Sequence, residues 1–201
     1  MGIAPSSAPR APQSPAGFHA LRNVALGPHR LLEVFPDLDR LPGFARLPAT
    51  GARRARLVRQ TVVQVVPGPV WMYVAPHEIP ALLKRVGFFP FTSPKDCIAI
   101  GRGHLYRSAR FILYLDILHE LVHVLQRAEG HDLWVEGYRY ADRPTEIEAY
   151  RFTVDLARAH GASDAFLREY LRVNWITPQE HALLLRNVGV SRAGGPPVGA
   201  R

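Results

Sequence analysis

Between Phe111 and Arg127 the apolar residues do not keep to one stripe. Turned at about 100° per residue, Phe111, Leu113, Tyr114, Leu115, Ile117, Leu118, Leu121, Val122, Val124 and Leu125 cover about two thirds of the wheel. A surface helix carries a narrower stripe, so the pattern predicts a helix inside the core. Asp116, His119, Glu120, His123, Gln126 and Arg127 share the remaining arc of roughly 120°, with only Ile112 among them.

A second helix is predicted after Pro144, which breaks the preceding chain. Thr145 with Glu148 three residues later reads as a capping box. Ala149, Tyr150, Phe152, Thr153, Val154, Leu156 and Ala157 form its apolar arc, with Glu146 in the middle. Glu148, Arg151, Asp155 and Arg158 lie opposite and read as a solvated, salt-bridged face. Gly161 ends this run, residues 164–173 predict another helix, and Thr177-Pro178-Gln179-Glu180 opens a last one, ending near Asn187 with Gly189 as its stop.

The first half of the chain has a different texture. Pro28, Pro36, Pro42 and Pro48 interrupt residues 18–58, leaving one short helix near 28–35. Residues 60–66 are rich in β-branched side chains and predict a strand. Pro67-Gly68-Pro69 turns the chain, and Val70-Trp71-Met72-Tyr73-Val74 returns as its hairpin partner. A short helix is expected from Pro80 to about Arg85, and a further strand at Cys97-Ile98-Ala99-Ile100. The expected fold class is α+β: a small mixed sheet packed on the helix of residues 111–127, followed by a helical C-terminal part. Residues 1–17, rich in proline, alanine and serine, and the tail 191–201 read as disordered around a single domain at 18–190.

The polar arc of the first helix carries the chemistry. His119-Glu120-Leu121-Val122-His123 sets two histidines four apart, so both imidazoles lie on one face and can converge on one ion. Glu120 projects at the edge of that face, where it can meet a metal-bound water. The same residues also fit a core helix whose histidines are satisfied by hydrogen bonds. Burying three ionisable groups beside apolar surface is costly without a partner, and a divalent cation supplies one.

A catalytic zinc takes three protein ligands and keeps one position open. His131 falls in the polar loop after the helix, and the residues three and six after His123 are Gln126 and Glu129, which rules out the metzincin spacing. A carboxylate in the middle of a buried face needs a reason, which assigns Glu146 as third ligand and leaves Glu148 as cap or surface charge. The expected set is thus His119, His123 and Glu146 for Zn2+, with Glu120 as general base. Cobalt and manganese suit the same donors.

The pairing of His-Glu-x-x-His with Glu146-x-x-Ala149-x-x-Phe152 resembles the gluzincin class of zinc peptidases, and among these the small ImmA/IrrE-type proteins. The resemblance covers roughly residues 95–160. It implies a zincin-like fold and hydrolysis of peptide bonds in a protein or peptide substrate. The alternative is a metal-binding sensor or interaction module without catalysis. Where that family commonly has Asn or Asp, this chain has Tyr150. Asp116 could replace it by accepting a ligand imidazole's other N–H, or could be a charge paired with an arginine. In that class the strand before the motif helix often forms the sheet edge along which substrate lies, and residues 97–101 occupy that place. An ordinary strand is the other reading of those residues. Tyr138, Tyr140 and His131 could supply an oxyanion donor, although each also reads as an ordinary loop residue.

Composition narrows the setting. At 201 residues with 47% hydrophobic and 21% charged side chains the chain is that of a globular protein. One cysteine, Cys97, excludes an intramolecular disulfide. Without an apolar leader or an uncharged span of membrane length, the expected compartment is the cytoplasm. Met1-Gly2 with Ser6 fits a myristoylation pattern only loosely. The net charge of +8 is almost all arginine, with Arg53, Arg54, Arg56 and Arg59 clustered. Nucleic acid could meet such a surface, but no reading motif accompanies it.

Overall fold

The computed structural model describes residues 12–67, the backbone of 71–74, and residues 97–190. The expected helix after Pro80, the turn at Gly68-Pro69, the first eleven residues and the tail from 191 lie outside these. The chain divides into two compact units: Ser14–Trp134, and the residues from Val135 onward.

The first unit holds the sheet. Its strands are β1 (Gly27–Arg30), β2 (Val62–Val66), β3 (Trp71–Val74) and β4 (Cys97–Gly101), in the order β1-β2-β4-β3. Its helices are α1 (Leu31–Val34), α2 (Pro42–Ala45), α3 (Gly51–Gln60), α4 (Arg102–Arg107) and α5 (Arg110–Ala128). The second unit contributes α6 (Pro144–Ala159), α7 (Asp164–Tyr170) and α8 (Pro178–Asn187). The class is α+β, with a mixed sheet: β1 runs antiparallel to β2, β2 parallel to β4, and β4 antiparallel to β3.

The sheet corrects the expected hairpin. Strands β2 and β3 do not pair, because β4 lies between them. All five residues of β4 are buried, with no polar face to give to solvent, so this strand takes an interior position. It is hydrogen-bonded on both sides, Val62–Val66 along one and Trp71–Val74 along the other. Residues 97–101 therefore offer no free edge to an extended peptide, and the expected substrate edge is overturned. The helix expected at 28–35 is also shorter: Gly27–Arg30 pairs with β2, and only Leu31–Val34 is helical. Pro28 fits there because β1 is an edge strand, where a missing N–H costs no ladder bond.

Sequence reading missed α3. Thr50 caps it, its hydroxyl accepting from the Arg53 N–H at 3.3 Å, while Leu57 and Val58 are buried. Two of the clustered arginines bond within the protein. Arg53 pairs with Glu129 at 2.9 Å, and the Arg54 guanidinium donates to the carbonyls of Leu47 and Ala49. Arg56 and Arg59 are exposed.

Helix α5 is buried along nearly its whole length, as its broad apolar arc requires. Phe18 and Tyr114 pack with ring centroids 5.2 Å apart, and the Gly43 N–H donates to the Tyr114 hydroxyl at 3.0 Å. Burial raises the Tyr114 pKa above its ordinary value, more than the Gly43 bond and Arg46 lower it.

In the second unit Pro144 is the first residue of α6 and Arg143 its N-cap, so Thr145 and Glu148 form no capping box. Proline at that position costs no hydrogen bond and presets the helical φ, which places the boundary one residue earlier than Thr145 as cap would. Gly161, at φ +81°, lets the chain leave α6. Helix α7 starts on a Ser163 cap and ends at Tyr170, short of residue 173. The end of α8 is tied back to the start of α6: Asn187 Nδ2 donates to the Ala141 carbonyl at 2.9 Å, and Arg151 Nε to the Asn187 carbonyl at 3.0 Å. This fixes the turn of residues 140–142 that leads into Glu146.

The box at the start of α8 is complete. The Thr177 hydroxyl accepts from the Glu180 N–H at 3.2 Å, and Glu180 Oε2 accepts from the Thr177 N–H at 3.0 Å. T177A is expected to cost about 1 kcal/mol in urea unfolding; an unchanged midpoint would remove the box from the account. The Thr177 backbone and hydroxyl bonds hold the Glu180 carboxyl below its ordinary 4.5. Its contribution is therefore fully present above that value and fades as pH falls through the lower folded-state value. E180Q should lose this acid limb; the same acid profile in both proteins would contradict it.

Candidate metal centre

The polar arc of α5 is buried with the rest of the helix. Asp116, His119, Glu120, His123 and Gln126 are each at most 5% exposed. Five polar groups in one buried row require internal partners, because water does not reach them.

The two histidines face each other. His119 Nε2 and His123 Nε2 are 3.1 Å apart, with the rings nearly perpendicular at 85°. Two imidazole nitrogens on one tetrahedral zinc, each at about 2.05 Å, lie about 3.3 Å apart. The observed separation is close to that bite. His123 Nδ1 is 2.8 Å from Gln126 Oε1. An amide oxygen only accepts, so Nδ1 carries the proton and the Nε2 lone pair of His123 points at His119. A bound cation would use that lone pair.

Glu146 joins this pair. One ligand atom each from His119, His123 and Glu146 lie within 4.8 Å of one another, and all three residues are buried. Two imidazoles and a carboxylate are a donor set that zinc accepts, and the cluster could hold a metal ion. Glu146 sits in the first turn of α6, where the helix dipole favours a carboxylate. Arg143 Nη1 lies 3.8 Å from Glu146 Oε1 and adds positive charge on the same side. Glu148 is exposed, on the solvated side with Arg151, Asp155 and Arg158.

The remaining candidates lie elsewhere in the network. Asp116 Oδ2 is 2.8 Å from His104 Nε2, which gives it a histidine of α4 as one partner. The Tyr140 hydroxyl bonds the Tyr150 hydroxyl at 2.7 Å, and Trp175 packs edge-on against Tyr140. Tyr138 and His131 are exposed. Cys97 is buried within β4 and forms no disulfide.

Sequence reading left Gln126 without a role and did not single out His104. Gln126 had a signal: it stands three residues after His123 on the same arc, where a helix brings side chains together. His104 had none, because α4 carries no clear pattern. Q126L is expected to free the His123 ring and weaken metal binding about 10- to 100-fold. Competition against a chelating dye reads this directly, and equal affinity in both proteins would discard the positioning role.

No match to this chain is found among family models, curated proteins or solved structures. Among the described residues no helix is long and apolar enough to cross a membrane.

Proposed function

We propose that this chain is a zinc-dependent peptidase with a zincin-like fold, acting on a protein or peptide substrate. The observation that carries the reading is the convergence of His119, His123 and Glu146 in a buried cluster, with Glu120 next to the first histidine in the chain. A bound Zn2+ would lower the pKa of a water molecule and polarise a scissile carbonyl.

The chain's own residues then have separate tasks. His119, His123 and Glu146 would hold the ion. Gln126 keeps His123 in the tautomer that presents Nε2. Glu120 takes a proton from the attacking water and returns it to the leaving amine. Burial of Glu120 in α5 shields the carboxylate from bulk water.

An unbiased peptide-library digest tests the reading. Cleavage products should form with zinc, vanish with a chelator and return when zinc is restored. Intact peptides under all three conditions, from protein that carries zinc before the chelator is added, would favour the metal-binding module over the enzyme.

A further inference from the structure

A second group of polar side chains in the first unit contains none of the three assigned ligands. Ser108 Oγ is 2.9 Å from His104 Nδ1, and His104 Nε2 is 2.8 Å from Asp116 Oδ2. We propose that Ser108 is an activated nucleophile, with His104 as its base and Asp116 holding the base, and that it takes an acyl group from activated esters. This goes beyond the peptidase reading and needs no metal.

Proton placement supports the roles. An ionised Asp116 can only accept, so His104 carries its proton on Nε2. The neutral ring then leaves a lone pair on Nδ1, which receives the Ser108 O–H. A nucleophile bonded to a base that a third group orients is the arrangement such catalysis uses. The Asp116 side chain is 6% exposed and that of His104 13%, and Ser108 is half-buried. The acid is thus the most shielded of the three.

The backbone fixes Ser108 in place. It caps the end of α4 with extended backbone, and Ala109 follows as the N-cap of α5. The Arg22 guanidinium donates to the Ser108 carbonyl at 3.0 Å and also to the Tyr106 carbonyl, tying this corner to a residue far away in sequence. Helix α5 starts immediately afterwards with no side-chain cap and no acidic residue in its first turn.

The reaction balances without a further reagent than water. Ser108 Oγ bonds to the ester carbonyl carbon while its proton passes to His104 Nδ1. The carbon–alkoxide bond breaks, and that proton leaves with the alcohol. Water then hydrolyses the Ser108 ester by the reverse path, giving the carboxylic acid and free serine. With an alkyl fluorophosphonate the Oγ–P bond forms, the P–F bond breaks, and fluoride leaves.

The full chain, with and without chelator, is treated with an alkyl fluorophosphonate and mapped by peptide mass spectrometry. The expected result is an adduct on Ser108 at equal rates in both samples. S108A should show none, and H104Q should slow labelling about 100-fold. S108C, which keeps His104 and Asp116, should react with iodoacetamide at neutral pH at least about tenfold faster than a free thiol of ordinary pKa. An unlabelled Ser108, a rate unchanged by H104Q, or an S108C thiol no faster than a free one would each overturn the proposal. Labelling lost with the chelator would also overturn it, by tying the site to the metal.

Discussion

Replacing Glu120 by glutamine is expected to abolish peptide cleavage, by about 100- to 10,000-fold, while metal content and thermal stability stay near those of the wild-type protein. The substitution keeps the volume and removes the basic oxygen. It leaves unchanged the residues His119 and His123, whose Nε2 atoms lie 3.1 Å apart, and Gln126, which orients one of them. An amide in place of the carboxylate can still hydrogen-bond within the buried row, so folding has little reason to change. Rates on one library-derived peptide, with zinc measured in the same samples, separate base from ligand. Equal cleavage by the variant would remove Glu120 from the chemistry. Loss of zinc together with cleavage would make it a structural part of the site.

Removing a ligand has the opposite signature. H119A and E146A should each lose metal, and with it the stabilisation that the ion contributes by binding only the folded chain. With zinc about a thousandfold above its dissociation constant that stabilisation is about 4 kcal/mol. In a protein of this size it moves the melting temperature by about 10 °C. The wild-type protein should show that rise on adding zinc, and the two variants should not. E148Q is the control, because Glu148 is exposed on the far side of α6. A zinc-dependent rise that survives in E146A and disappears in E148Q would reverse the assignment of the two glutamates.

Helical periodicity carried most of what could be read before any coordinates. The arc of α5 named its buried polar row, and the arc of α6 separated the buried Glu146 from the exposed Glu148. Both depend on side-chain spacing along one helix, which the sequence states directly. Thr177, Pro178 and Glu180 likewise announced α8, because capping is local chemistry.

Strand order was not legible in the same way. A turn-rich stretch between two β-branched runs favours a hairpin locally, yet β4 enters between β2 and β3 from 31 residues beyond the end of β2. Only the burial of all five β4 residues decides the matter, and a short apolar run does not state which neighbours will cover it. The same holds for His104, whose tie to Asp116 follows from the placement of α4 and not from any repeat. Gln126 lies between these cases. Its spacing from His123 was visible, but which histidine nitrogen it would meet required the rotamers.

Zinc content of protein purified without added metal tests the central claim most directly. Mass spectrometry should find about one zinc per wild-type chain and almost none in H119A or E146A. Wild-type protein that arrives empty, and takes up no divalent ion when offered one, would contradict the account.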